Sequence, residues 1–165
     1  MKPLDQARPS RRALPDKEAK QKGGARRRAA RDTFILYLAV SIGSVIGSVL
    51  RAVASMAALA YLGPGFPWGT LFVNVLGSFA IGFYATLTEP GGRVFAGTRQ
   101  RQFVMTGIFG GFTTFSMFSL ETLFLMQSGN WPAAGLNIGV SIVTWLGAVW
   151  LGHMFASRLN RLGGV

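Results

Sequence analysis

The chain has no cysteine and one histidine among its 165 residues, and each scarcity removes a class of chemistry. Without thiols there are no disulfides, thiolate metal sites or cysteine nucleophiles. Acids are nearly as rare: there are six in total, and after Asp32 only Glu89 and Glu121 remain. That leaves no carboxylate pair, metal-ligating cluster or catalytic triad. The chain also holds no Gly-x-x-x-x-Gly-Lys loop for a nucleotide. An enzyme is therefore not expected. Charge of either sign is missing from most of the sequence. Eleven of the seventeen Lys/Arg lie in residues 1–31, and from Thr33 onward only eight charged residues remain. That is too few to solvate a water-soluble domain of this size.

What is present is apolar length. Half the chain is hydrophobic, and four runs stand out at about residues 33–60, 68–88, 102–126 and 134–156. Each has 21 residues or more, enough to cross a hydrocarbon layer of about 30 Å at about 1.5 Å per residue. The expected fold is an all-α membrane protein with four transmembrane helices over residues 33–158, in a cell membrane. Arg93, Arg99 and Arg101 lie between the second and third runs, and Arg158 and Arg161 follow the fourth. The other two connections, residues 61–67 and 127–133, carry no basic residue. The positive-inside rule then puts both termini in the cytoplasm. Residues 1–32 read as a basic, disordered tail lying against anionic lipid. Without interleaved aromatics they do not read as a nucleic-acid-binding arm.

Within the runs, Gly43-x-x-x-Gly47-x-x-x-Arg51 places two glycines and an arginine on one helix row. The glycines suit close helix approach. Arg51 either snorkels to an interface, lines an anion vestibule or holds partner groups. Thr70, Asn74 and Ser78, four residues apart, form a polar stripe on the second run. It serves either as inter-helix glue or as pore lining. Asn137, Ser141 and Thr144 make a weaker row on the fourth run. His153 reads as an exposed helix-end histidine. Glu121 reads as an interfacial or hydrogen-bonded acid rather than a proton relay.

The third run holds the sequence's sharpest signal, Gly107-Ile108-Phe109-Gly110-Gly111-Phe112-Thr113-Thr114-Phe115-Ser116-Met117-Phe118. Irregular backbone at membrane depth is tolerated only where protein or a water-filled path covers it. A Gly-Gly/Thr-Thr break there is expected to free carbonyls that suit a hard cation. Phe115 and Phe118, at i and i+3, either pack or present their positive ring edges to a small anion. Ser116 and Ser119 add hydroxyl donors.

Gly47–Arg51, Gly69–Phe79 and Gly110–Glu121 together resemble the fluoride-specific ion channel family (Fluc, also called CrcB), over about residues 34–157. The resemblance implies passive export of cytoplasmic fluoride, which lowers its toxicity. It implies a dual-pore dimer of antiparallel protomers, with the third helix broken in mid-membrane. It implies a structural sodium ion held by the backbone carbonyls of Gly110 and Thr113. Asn74, Phe115 and Phe118 match the family's pore residues, Thr70 its Gly-Thr-Leu threonine, and Arg51 its first-span arginine. Met117 stands where the family commonly has threonine. Ser78, Ser116, Ser141 and Thr144 are assigned to the path from spacing.

A homodimer of this kind needs one sequence to insert both ways, so its basic bias should be near zero. Here sixteen basic residues fall on the expected cytoplasmic side and none on the other, with Arg51 uncounted inside a span. The expectation is a fixed orientation and a heterodimer with an oppositely oriented paralogue, the homodimer being the alternative. A cation-coupled small-anion transporter, with Glu121 as its cycling group, is the main rival function. A basic-tailed membrane anchor is a third.

Overall fold

A computed structural model describes residues 13–162, with side chains from residue 21 onward. All regular structure among the described residues is helical: α1 (Ala13–Leu62), α2 (Trp68–Leu87), α3 (Thr98–Gln102), a π-helical segment (Phe103–Phe109), α4 (Gly110–Phe112), α5 (Phe115–Gln127) and α6 (Trp131–Leu162). Four stretches are long and apolar enough to cross a membrane: Gln21–Leu62, Trp68–Leu87, Thr98–Gln127 and Trp131–Leu162. They contain the four expected runs, except that Thr88 caps the second.

The chain divides into two units, Met1–Ile35 and Leu36–Val165. In the first, the described residues belong to α1. Within residues 1–32, expected from sequence to be a disordered tail, the described residues 13–32 are helical. Ala, Lys, Arg and Gln, which rank among the best helix formers, fill that stretch. Residues 1–12 lie outside the described residues.

In the second unit the turns follow from glycine and asparagine. Gly63 and Gly129 take φ of 75° and 76°, the left-handed conformation that ends a helix at little cost to glycine. The Gly129 amide bonds the Met126 carbonyl and the Asn130 amide the Leu125 carbonyl, at 3.0 and 2.9 Å. Asn130 Oδ1 then accepts from the Ala133 amide at 3.3 Å, capping α6.

Two seams of small residues hold the helices together. α2 packs chiefly on α6, with Gly82 against the Val149 backbone and Gly152 against that of Phe79. On α1, Gly43 meets Gly107 of the third stretch and Ser44 meets Gly111. A Cβ on Gly47 would strike the Ile108 carbonyl and come within 2.8 Å of the Phe112 nitrogen. The Gly-x-x-x-Gly spacing thus buys backbone-to-backbone contact, as its sequence reading expected. Only a third or less of the most apolar window of each span is buried. Val45, Val49, Val53 and Met56 of α1 are all exposed, so lipid or another chain must cover that face.

Candidate functional site

Between α4 and α5 the backbone leaves the helical region for two residues. Thr113 has φ −87°, ψ 159° and Thr114 has φ −153°, ψ 124°. Just before, the π-helical segment widens the turn, so that the Gly110 amide reaches back to the Met105 carbonyl. Nothing in the sequence reading anticipated that segment.

Following the amides shows what the extended pair releases. In a continuous helix the Thr114 amide would bond the Gly110 carbonyl; here it donates to Asn74 Oδ1 at 2.8 Å. The Met117 amide, which would bond the Thr113 carbonyl, donates to Thr114 Oγ1 at 3.2 Å, so Thr114 is the N-cap of α5. The Gly110 and Thr113 carbonyls thereby lose their helical donors. Arg51 Nη1 approaches the Thr113 carbonyl at 3.4 Å, and Ser48 Oγ the Gly111 carbonyl at 3.5 Å. A carbonyl oxygen has two lone pairs, so the Arg51 contact leaves Thr113 one more. Neutral carbonyl oxygens are ligands that a hard cation takes, and Gly110 lies at the surface of the chain.

Asn74 is the strap that holds the break. Its Nδ2 donates to the Thr114 carbonyl at 2.8 Å while its Oδ1 takes the Thr114 amide, and both residues are buried. One Nδ2 proton of its two is left over. Gly77, one turn on, clears space for the Thr113 methyl, which a Cβ would strike. The stripe on α2 therefore includes real inter-helix glue at Asn74.

Two cavities flank the strap, and Thr114 lines both. The larger, about 730 Å³, is lined by Arg51, Thr70, Met117 and Glu121 with walls from Phe66, Trp68 and Phe124. Thr70 Oγ1 donates to Glu121 Oε1 at 2.9 Å, and Glu121 Oε2 is buried without a partner in the chain. The smaller, about 260 Å³, is lined by Asn74, Ser78, Gly110, Thr113, Phe115 and Trp145, among others. The structure thus brings Asn74, Ser78, Thr113, Gly110 and Phe115 together, and gathers Arg51, Thr70 and Glu121 on the other side.

Other expected residues lie apart. Phe115 is 71% exposed but Phe118 only 8%. The rings sit 5.5 Å apart between centroids, and Phe118 lines neither cavity. Instead it meets Trp145 in a T-shaped contact at 4.9 Å. Ser116 Oγ lies 3.2 Å from Thr114 Oγ1. The Thr144 hydroxyl donates to its own helix, with the Val140 carbonyl at 2.6 Å. Asn137 donates to Thr122 Oγ1 on α5 at 2.8 Å, away from the α2 stripe. Ser141 is buried, its Oγ without a partner in the chain. His153 is exposed, but its Nδ1 pairs with Thr86 Oγ1 at 2.8 Å. Trp145 is a lining residue of the smaller cavity that sequence reasoning missed; its signal was the four-residue step from Ser141.

Four spanning helices around two cavities and a released backbone define a multi-pass membrane protein. Residues 38–153 match the family described as CrcB-like protein, Camphor Resistance (CrcB). Fluoride-specific ion channel FluC 1 of Rhodopseudomonas palustris is 60% identical over 134 residues, 81% of this chain and 95% of that one. Fluoride-specific ion channel FluC of Opitutus terrae is 55% identical over 129 residues, 78% of this chain and 98% of that one. Fluoride-specific ion channel FluC 1 of Bradyrhizobium diazoefficiens is 54% identical over 128 residues, 78% of this chain and 89% of that one. The chain belongs to the CrcB family, and these named relatives are ion channels, not enzymes.

Proposed function

We propose that this chain is a fluoride-specific ion channel that lets cytoplasmic fluoride leave the cell passively. The observation that carries the reading is a backbone break strapped by Asn74 between two cavities, in a chain 60% identical over 134 residues to a named fluoride channel. Fluoride that enters as the neutral acid dissociates in the cytoplasm and is trapped there as the anion. A pore lets it out down its electrochemical gradient, aided by an inside-negative potential.

Arg51 makes the larger cavity attractive to anions, and Thr70 offers a hydroxyl there. At the narrow part, the spare Nδ2 proton of Asn74 and the Ser78 and Ser116 hydroxyls replace water around the ion. The Phe115 and Phe118 ring edges add positive potential. Ser141 supplies a buried hydroxyl on α6, and Thr144 stands one turn from it. Selection against chloride comes from the narrowness of a path that only a small, stripped anion can follow.

The third helix is read as broken in mid-membrane at Thr113 and Thr114. The Gly110 and Thr113 carbonyls would hold a structural sodium ion there, with the remaining ligands from an antiparallel partner protomer. Bound sodium would supply fixed positive charge that ties the two breaks together. Gly110 at the chain surface suits a ligand shared in this way.

Both termini are placed in the cytoplasm, where the basic residues around 26–31 meet anionic lipid. The charge bias favours a heterodimer with an oppositely oriented paralogue over a homodimer. Labelling an introduced Ser10→Cys and Ser128→Cys from each side of the membrane tests this. Labelling of each site from both sides would return the homodimer.

The rival, a cation-coupled transporter, needs Glu121 to cycle. Planar-bilayer currents under a fluoride gradient separate the two. A reversal potential at the fluoride equilibrium value, unmoved by proton or sodium gradients, supports the channel. A reversal that shifts with either gradient contradicts it.

A further inference from the structure

Behind the smaller cavity, α6 holds two hydrogen-bonding groups with nowhere to go. Ser141 Oγ and Trp145 Nε1 are both sealed from solvent, and neither has a partner in the chain. They stand four residues apart, so they share one helix face about 6 Å from each other along the axis. Most buried polar groups are paired, and those that are not call for an explanation such as a bound water or ion. The Trp145 ring lines the cavity beside Asn74 and Phe115, and it lies edge to face with Phe118.

The indole N–H is a donor only, with no lone pair to offer. Whatever satisfies it must therefore be an acceptor: an anion or a water oxygen, never a cation. Its sealing matters as much as its chemistry. Nε1 is closed to water as the side chains stand, and a bare fluoride, about as large as a water molecule, reaches it only when a neighbouring ring moves. Phe118 is in ring contact with both Phe115 and Trp145, at 5.5 and 4.9 Å between centroids. Phe115 and Trp145 border the same cavity, so an ion inside it lies beside both rings.

We propose that Trp145 is a further selectivity-determining residue, whose indole N–H donates to fluoride in the smaller cavity beside Phe115. This deepens the channel reading above and rests on it. The residue reads as apolar bulk in sequence, which is why its donor escapes notice.

The test uses the full chain with Trp68, Trp131 and Trp150 replaced by phenylalanine. All three are exposed, so Trp145 remains as the single ¹⁵N-labelled indole. In lipid nanodiscs at constant sodium, potassium fluoride should shift its N–H resonance downfield in a saturable way, and potassium chloride should not. In parallel, Trp145→Phe keeps a ring against Phe118 but removes the donor. It should cut fluoride efflux from proteoliposomes by tenfold or more while leaving the size-exclusion profile unchanged.

A resonance that ignores fluoride would mean that water or nothing satisfies the N–H, and it would overturn the proposal. So would an equal response to chloride, or full efflux in Trp145→Phe. If that variant does not fold, the resonance of the single-tryptophan protein decides alone. Fluoride passing through the parent protein without a Trp145 response sinks this inference only. A parent that passes no fluoride sinks the channel reading beneath it.

Discussion

Replacing Asn74 with alanine removes both ends of the strap at once. The Thr114 amide and carbonyl, each held by Asn74 at 2.8 Å, would then be buried without a partner. Each such group costs about 1–3 kcal/mol, which sets an upper range of about 2–6 kcal/mol for the pair. Inter-helix hydrogen bonds measured in membrane proteins average only about 0.6 kcal/mol, because the reference state also finds partners. That sets a floor of about 1 kcal/mol. The extended backbone at Thr113 and Thr114 gives these groups no helical alternative without closing the break. An intermediate loss of about 2–4 kcal/mol is therefore expected, a shift of roughly 30- to 1,000-fold in the folding equilibrium. Thermal unfolding in detergent, beside fluoride efflux from proteoliposomes, reads both consequences. Asn74→Asp is the companion variant: it keeps an acceptor for the Thr114 amide but turns a second oxygen toward the Thr114 carbonyl. It should lose less stability than the alanine variant and at least as much flux. An Asn74→Ala protein within about 0.5 kcal/mol of the parent would refute the strap.

Three further outcomes follow from the same geometry. Phe115→Ile and Phe118→Ile should each lower fluoride flux strongly, but only the second should lower the unfolding temperature, since Phe118 is buried against Trp145 and Phe115 is exposed; equal stability in both would contradict the packing. Gly47→Ala should cost about 1–3 kcal/mol or more by forcing a methyl into the Ile108 backbone, read by thermal unfolding against Gly24→Ala, where a Cβ meets nothing within 4 Å. Gly110→Ala has room inside its own chain, its nearest neighbour being the Met105 carbonyl at 3.8 Å. Any loss of the dimer on size-exclusion chromatography would therefore report on a partner and a shared sodium ion, and an unchanged dimer with and without sodium would count against both.

The membrane-spanning architecture was legible because lipid tolerates so little: charge disappears wherever a span must be, and the four runs mark themselves. The Gly-Gly/Thr-Thr signature was legible for a related reason, since those residues weaken a helix where one would otherwise be obligatory. What held the interruption was not. Asn74 and Thr114 are forty residues apart, and spacing on one helix cannot say which partner on another helix its amide will meet. Thr70 and Glu121 pair for equally non-local reasons. Spacing also cannot show that the Thr144 hydroxyl bonds its own helix carbonyls. Trp145 was passed over because tryptophan in an apolar run reads as bulk, although its donor is what the site makes notable.

The central claim is that this chain conducts fluoride and excludes chloride. The most direct test is efflux from proteoliposomes containing the purified protein, loaded with potassium fluoride or potassium chloride and followed by ion-selective electrodes after adding a potassium ionophore. The account predicts rapid fluoride release with no chloride release above protein-free vesicles. Fluoride release no faster than from empty vesicles, or chloride release that keeps pace with it, would contradict the account.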